Sequence, residues 1–212
     1  MRPPVVFALA LLLTGCKLWT VRPIEDAQAA NPGALGPVAY VNSIWSAKLL
    51  PSVSKAAVDA RALLDALGQS QDGARAKYCH QTANGPCYLI VRGEGRVVAV
   101  DQRSRVGFLA VDIAPLDSTP DLTIQIGPVL RGAALRDATG IVQFTDFVNQ
   151  LQFADVGNEL NSRVLRTVLG PVDVASSKGR TVEFEGTAVL GDASGPPIRD
   201  LVPVRLAVKE AR

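Results

Sequence analysis

The sequence predicts an α+β protein: a small antiparallel OB-like β-barrel with a packed helical subdomain. Three observations lead there. About seven segments alternate β-branched and polar residues at the period of a strand, as in Leu122-Thr123-Ile124-Gln125-Ile126. These segments fall in two blocks with a helical pair between them and another helical pair in front. The composition, 48% hydrophobic and 20% charged over 212 residues, is that of a chain able to bury one core or two, and excludes a disordered one.

Export is the first reading along the chain. Arg2 precedes an unbroken apolar run, Val5 to Leu13, which falls short of the roughly 20 residues a membrane span needs. The run ends in Leu13-Thr14-Gly15-Cys16, which resembles a bacterial lipobox. Residues 1–15 are therefore expected to be a signal peptide, and Cys16 to be the lipidated first residue of the mature chain. Several acyl chains hold a protein stably on a membrane where one does so marginally. Lys17 leaves open whether that is the inner or the outer membrane. The expected placement is periplasmic and lipid-anchored.

Residues 16–39 carry Pro32-Gly33 and Gly36-Pro37 and read as a linker. Residues 40–80 read as helical. Asn42 or Ser43 is a candidate cap, and Pro51 suits a second helix whose stripe is Val53, Ala57, Ala60, Leu64 and Leu67, with Gly68 just past its end. Trp45 reads as core. Residues 81–144 form the first barrel part: Tyr88–Arg92, a Gly93-Glu94-Gly95 hairpin, Arg96–Asp101, Gly107–Ile113, Asp121–Ile126 and Ile141–Phe144. Residues 145–171 return to helix. Thr145 is a cap, Phe147, Val148 and Leu151 share a face, and Asp155 caps a second helix with Val156, Leu160 and Val164 that closes at Gly170-Pro171. Residues 172–212 complete the barrel. The expected inner face is Leu109, Val111, Ile124, Ile126, Val182, Phe184, Val204 and Leu206, with Arg205 pointing out and indifferent to substitution.

Cys79 and Cys87 remain once Cys16 is lipidated. In an oxidising compartment an even pair reads as a disulfide, while free thiols or a metal site with His80 are the alternatives. A formal net charge of +2, without a Lys/Arg cluster interleaved with aromatics, argues against nucleic acid as a partner. His80 is the single histidine, and the chain has no Gly-x-Ser-x-Gly, His-Glu-x-x-His or phosphate-binding loop. No enzyme, cofactor or metal is expected.

The polar residues that stand out are Arg105, Asp112, Gln125, Arg131, Arg136, Asp137 and Asn149. They read either as a pocket between barrel and helices or as an ion-pair network locking the two together. Arg136 and Asp137 are adjacent, so on a helical turn they are expected to point apart and take different partners.

The stretches IQIGPVLRGAALRDA, FTDFVNQLQFADVGNELNSRVLRTVL and KGRTVEFEGTAVL, with SRVGFLAVDI and the AYVNSIW opening, resemble domain of unknown function 2291, a family of predicted bacterial periplasmic lipoproteins. The resemblance implies an OB-type barrel beside a helical domain. It also implies an accessory role near carbohydrate-uptake ABC transporters, with a transporter or a solute-binding protein as partner. The Cys79/Cys87 pair departs from the family pattern and reads as local reinforcement.

Overall fold

The computed structural model describes residues 35–80, 85–192 and 194–209; the signal peptide, Cys16 and most of the linker lie outside these residues. The helical front begins with α1 (Gly36–Ile44), whose first turn holds Pro37, and continues through a π-helical turn (Trp45–Leu49) into α2 (Leu50–Ala56). Asn42 and Ser43 lie inside α1 and cap nothing; Ser43 donates back to the Tyr40 carbonyl at 2.7 Å. The single stripe expected from Val53 to Leu67 is broken in two. Ala57 turns extended, Val58–Asp59 forms the short strand β1, and α3 (Ala60–Gln69) starts afresh. Asp59 is the reason: its carboxylate accepts from Ala62 N at 3.1 Å and caps α3. Gly68 therefore lies within α3, and α4 (Gln71–Tyr78) follows a Ser70 cap. Cys79 and Cys87 form a disulfide, and the backbone of His80 pairs with Tyr88 beside it.

Five strands close the barrel. They are β2 (Tyr88–Asp101), β3 (Phe108–Asp112), β4 (Leu122–Gln125), β5 (Thr181–Leu190) and β6 (Ile198–Val208). Around the barrel the order is β2-β3-β4-β6-β5, and β5 pairs back to β2. All these pairings are antiparallel except β4–β6, which is parallel, so the barrel is mixed and not purely antiparallel. β1 adds to β2 in parallel at Val58–Val91. Every residue expected on the inner face is buried, with Leu109, Val111, Ile124 and Val182 fully so.

The expected hairpin at Gly93-Glu94-Gly95 is instead the middle of the continuous β2. Gly95 serves close approach, not a turn: a Cβ there would stand 2.5 Å from Val111 Cγ1 and 2.6 Å from the Asp112 carbonyl. Gly186 likewise lets β5 meet β6, since its Cβ would lie 2.3 Å from the Val202 carbonyl. Ile141–Phe144 is not a strand, because β6 already occupies the free edge of β4.

Between β4 and β5 the chain is helical. A single turn, α5 (Ala134–Asp137), precedes a 3₁₀ turn (Phe144–Asp146) and the long α6 (Gln150–Val164), which ends in a second π-helical turn (Leu165–Leu169). Thr145 lies within the 3₁₀ turn, and Asp155 lies inside α6 and does not start a helix. Val156, Leu160 and Val164 face the core. Phe147 is buried, but Val148 and Leu151 are exposed, so the three do not share one packed face. The two helical segments pack together: the Tyr40 ring meets Phe147 edge-on at 5.1 Å, and Arg163 bonds Asn42 and stacks over buried Trp45 at 5.0 Å.

Candidate functional site

The polar residues singled out in the sequence divide by what they touch. Gln125, 1% exposed, donates to the Arg131 and Asp200 carbonyls, both at 3.1 Å, and accepts from Arg131 N at 2.7 Å. It thereby ties β4 to the following loop and to β6. Arg136 and Asp137 do not point apart. Nε meets Oδ1 at 2.6 Å and Nη2 meets Oδ2 at 3.1 Å, because a half-buried guanidinium reaches its neighbour's carboxylate more readily than any distant one. The Arg136 guanidinium also covers the Phe153 ring at 3.8 Å and donates to the Phe153 carbonyl at 3.2 Å. Tyr88 donates its hydroxyl to Asp137 at 3.4 Å, and burial followed by the Asp137 charge raises the tyrosine's pKa. Asn149 caps α6, accepting from Gln152 N at 2.9 Å.

Arg131 is exposed and stands 3.6 Å from Asp200, and Arg105 is exposed in the β2–β3 loop. Asp112 is 1% exposed. Its Oδ2 accepts from Ser118 N at 2.7 Å, while Oδ1 has no partner among the described residues. Nearby Asp121 accepts from Ile113 N at 2.8 Å, and its pKa is raised, chiefly by burial. Asn161, which sequence reasoning passed over, donates from inside α6 to the Gly132 carbonyl at 3.0 Å. The set does not converge on one cavity.

A groove of about 590 Å³ opens elsewhere, between α2 with β1 on one side and the outer face of β2, β5 and β6 on the other. Strand register builds its floor. Arg92, Glu185 and Arg205 stand side by side across three strands, and Glu94, Glu183 and Ala207 form the next row. Glu185 is buried, with Arg205 Nη1 3.5 Å away. The facing carboxylates Glu94 and Glu183 share Lys209, which bonds Glu94 and lies 3.6 Å from Glu183. The bond to Glu94 raises the Lys209 pKa above the ordinary lysine value. Arg92 is exposed and has no ion-pair partner among the described residues. Neither Arg131 nor Asp112 lines this groove. The alternation of Arg92 with Glu94, and of Glu183 with Glu185, was visible in the sequence, but only the register sets them opposite one another.

A mixed five-stranded barrel closed by a parallel β4–β6 pair, with a helix between β4 and β5, defines an OB-type protein. The same fold occurs in the crystal structure of an OB-fold protein from Thermotoga maritima, with a TM-score of 0.66 and 24% identity over 82% of this chain and 98% of that one. No curated protein matches. The chain belongs to the DUF2291 family of predicted periplasmic lipoproteins, whose model matches residues 6–207. Membership places it in the periplasm, anchored to a membrane by lipid.

Proposed function

We propose that the protein is a non-enzymatic binding or accessory module for carbohydrate ABC uptake, held on the membrane by lipid on Cys16. Its partner would be the transporter or a solute-binding protein. The observation that carries this reading is the Arg92–Glu185–Arg205 row on the groove floor, with Arg92 uncommitted. Guanidinium forks beside carboxylates present planar donors and acceptors, the chemistry that matches neighbouring sugar hydroxyls. The test is calorimetric titration of the full-length protein with mono- and disaccharides. A saturable heat is expected, weakened at least roughly tenfold in Arg92→Ala with melting unchanged, as for loss of a charge-assisted contact. An Arg92→Ala protein that binds as well as its parent removes the groove from consideration.

A second reading is a structural envelope lipoprotein with no small ligand. It draws on the internal bonding of Gln125, Arg136, Asp137 and Asn149. Silence from every sugar, with no transport protein crosslinked from the groove in cells, would favour it.

A further inference from the structure

Seven large apolar side chains stand well exposed among the described residues, and five of them lie on two segments that pack against each other through Tyr40 and Phe147. Leu35 (60% exposed) and Val38 (54%) flank the first turn of α1, while Phe144 (53%), Val148 (58%) and Leu151 (70%) surround the start of α6. The two segments pack on each other: Tyr40, midway along α1, touches Phe147, three residues before α6, and Arg163 near the end of α6 reaches Asn42 and Trp45. The start of α1 and the start of α6 therefore lie within a turn or two of the Tyr40–Phe147 contact. Beneath the patch the aromatic rings continue inward, with Phe144 edge-on to Phe153 at 5.5 Å and Phe153 against Phe147 at 5.8 Å.

The two segments that carry the patch are themselves almost free of charge. No residue from Leu35 to Ile44 is charged, and from Ile141 to Ala154 only Asp146 is, its carboxylate accepting from Gln143 N at 3.3 Å. Little of their own charge would have to be desolvated if they left water. The position of the patch along the chain says what it meets. The described structure begins at Leu35, within the patch, and residues 17–34 alone separate it from Cys16. Even fully extended, a chain of that length reaches no further than about 65 Å. An anchor so close keeps the patch at high effective concentration beside the bilayer, where even weak apolar affinity is enough.

We infer that this patch is the membrane-facing foot of the protein. Leu35, Val38, Phe144, Val148 and Leu151 sit at the headgroup–acyl boundary of the bilayer that holds the lipid anchor. The inference rests on lipidation of Cys16, and the experiment separates the two. The full-length lipidated chain, carrying Trp19→Phe and either Leu151→Trp or Leu116→Trp, is reconstituted into vesicles of phosphatidylethanolamine and phosphatidylglycerol, with or without brominated acyl chains. Leu116 is a second exposed apolar residue, outside the patch. Brominated lipid is expected to lower emission from Leu151→Trp roughly twofold and to leave Leu116→Trp unchanged, as for an interfacial tryptophan against one in water. Equal, unquenched emission from both in protein that floats with the vesicles overturns the inference alone. Unquenched but blue-shifted emission from Leu151→Trp overturns it too, and shows that protein covers the patch instead, whether a partner, a second copy or this chain's own apolar LWTVRPI stretch at residues 18–24. Protein that does not float with vesicles overturns the Cys16 reading, and the foot with it.

Discussion

Arg136 grips the carboxylate of its own chain neighbour, Asp137, through two parallel hydrogen bonds, while its face lies on Phe153 of α6 and the Tyr88 hydroxyl of β2 bonds the same carboxylate. The short helix α5 is thus fastened on one side to the barrel and on the other to α6. Both side chains are largely buried, at 14% and 11% exposed. Arg136→Met would strand a buried carboxylate and is expected to cost about 3–5 kcal/mol. Replacing both partners with apolar residues should cost clearly less. Denaturant titration of the two single variants and the double variant measures the coupling, and strictly additive losses would show that the pair acts as two separate residues.

Gln125 is a second fastening. Gln125→Ala leaves the Arg131 N–H and the carbonyls of Arg131 and Asp200 without their partner, next to a fresh cavity. A loss of about 2–4 kcal/mol is expected, since each orphaned group costs roughly 1–3 kcal/mol unless water reaches it. A urea midpoint unmoved by the substitution would mean that water replaces the amide without penalty.

The barrel was legible because its strands carry their pattern locally. Leu122 and Ile124 alternate with Thr123 and Gln125, and Val182 and Phe184 with Thr181, Glu183 and Glu185. Burial follows that period from Leu122 to Ile124 and from Thr181 to Phe184, while β3 is buried throughout from Leu109 to Asp112. Errors arose where one residue type serves two purposes. Gly93 and Gly95 read as a turn, yet a strand that must pass closely under a neighbour needs glycine just as much. Asp59 was hidden inside an apparent helical stripe, although an aspartate before Ala60 is a cap signal. The Arg136–Asp137 pair was not legible, because neighbours on a helical turn are expected to point apart and these two meet. The groove could not be read at all: Arg92, Glu185 and Arg205 are far apart in sequence and meet only through strand register.

That register also revises the expectation for Arg205. Val204 is buried in the barrel, and Val204→Asp is expected to abolish folding. Arg205→Glu, which looked harmless from the sequence, sets a carboxylate opposite buried Glu185. Like charges directly across a strand pair cost about 1 kcal/mol, and added salt should recover part of it. Thermal melts at low and high salt check both: an Arg205→Glu protein with the parental melting temperature at low salt would remove Glu185 from its account.

Asp192, in the β5–β6 loop, is held at a pKa of about 2 by hydrogen bonds from the Ser194 side chain and backbone and then from Arg199. The folded value is below the ordinary 3.8, so the stabilisation is fully present above that pH and fades as pH falls towards 2. Asp192→Asn should therefore melt below the parent at neutral pH and converge on it as pH falls through and below about 2. A gap between the two that stays constant across that range would contradict the assignment.

β2 runs unbroken for 14 residues, meeting β1 near one end, β3 near the other and β5 along most of its length. Cylinder and helical front are consequently grafted onto a common beam. Chimeras between relatives should tolerate junctions in the turns at either end of α6, whereas a junction between Val58 and Asp101 would sever both halves together, and a recombinant library would be expected to lose such clones first.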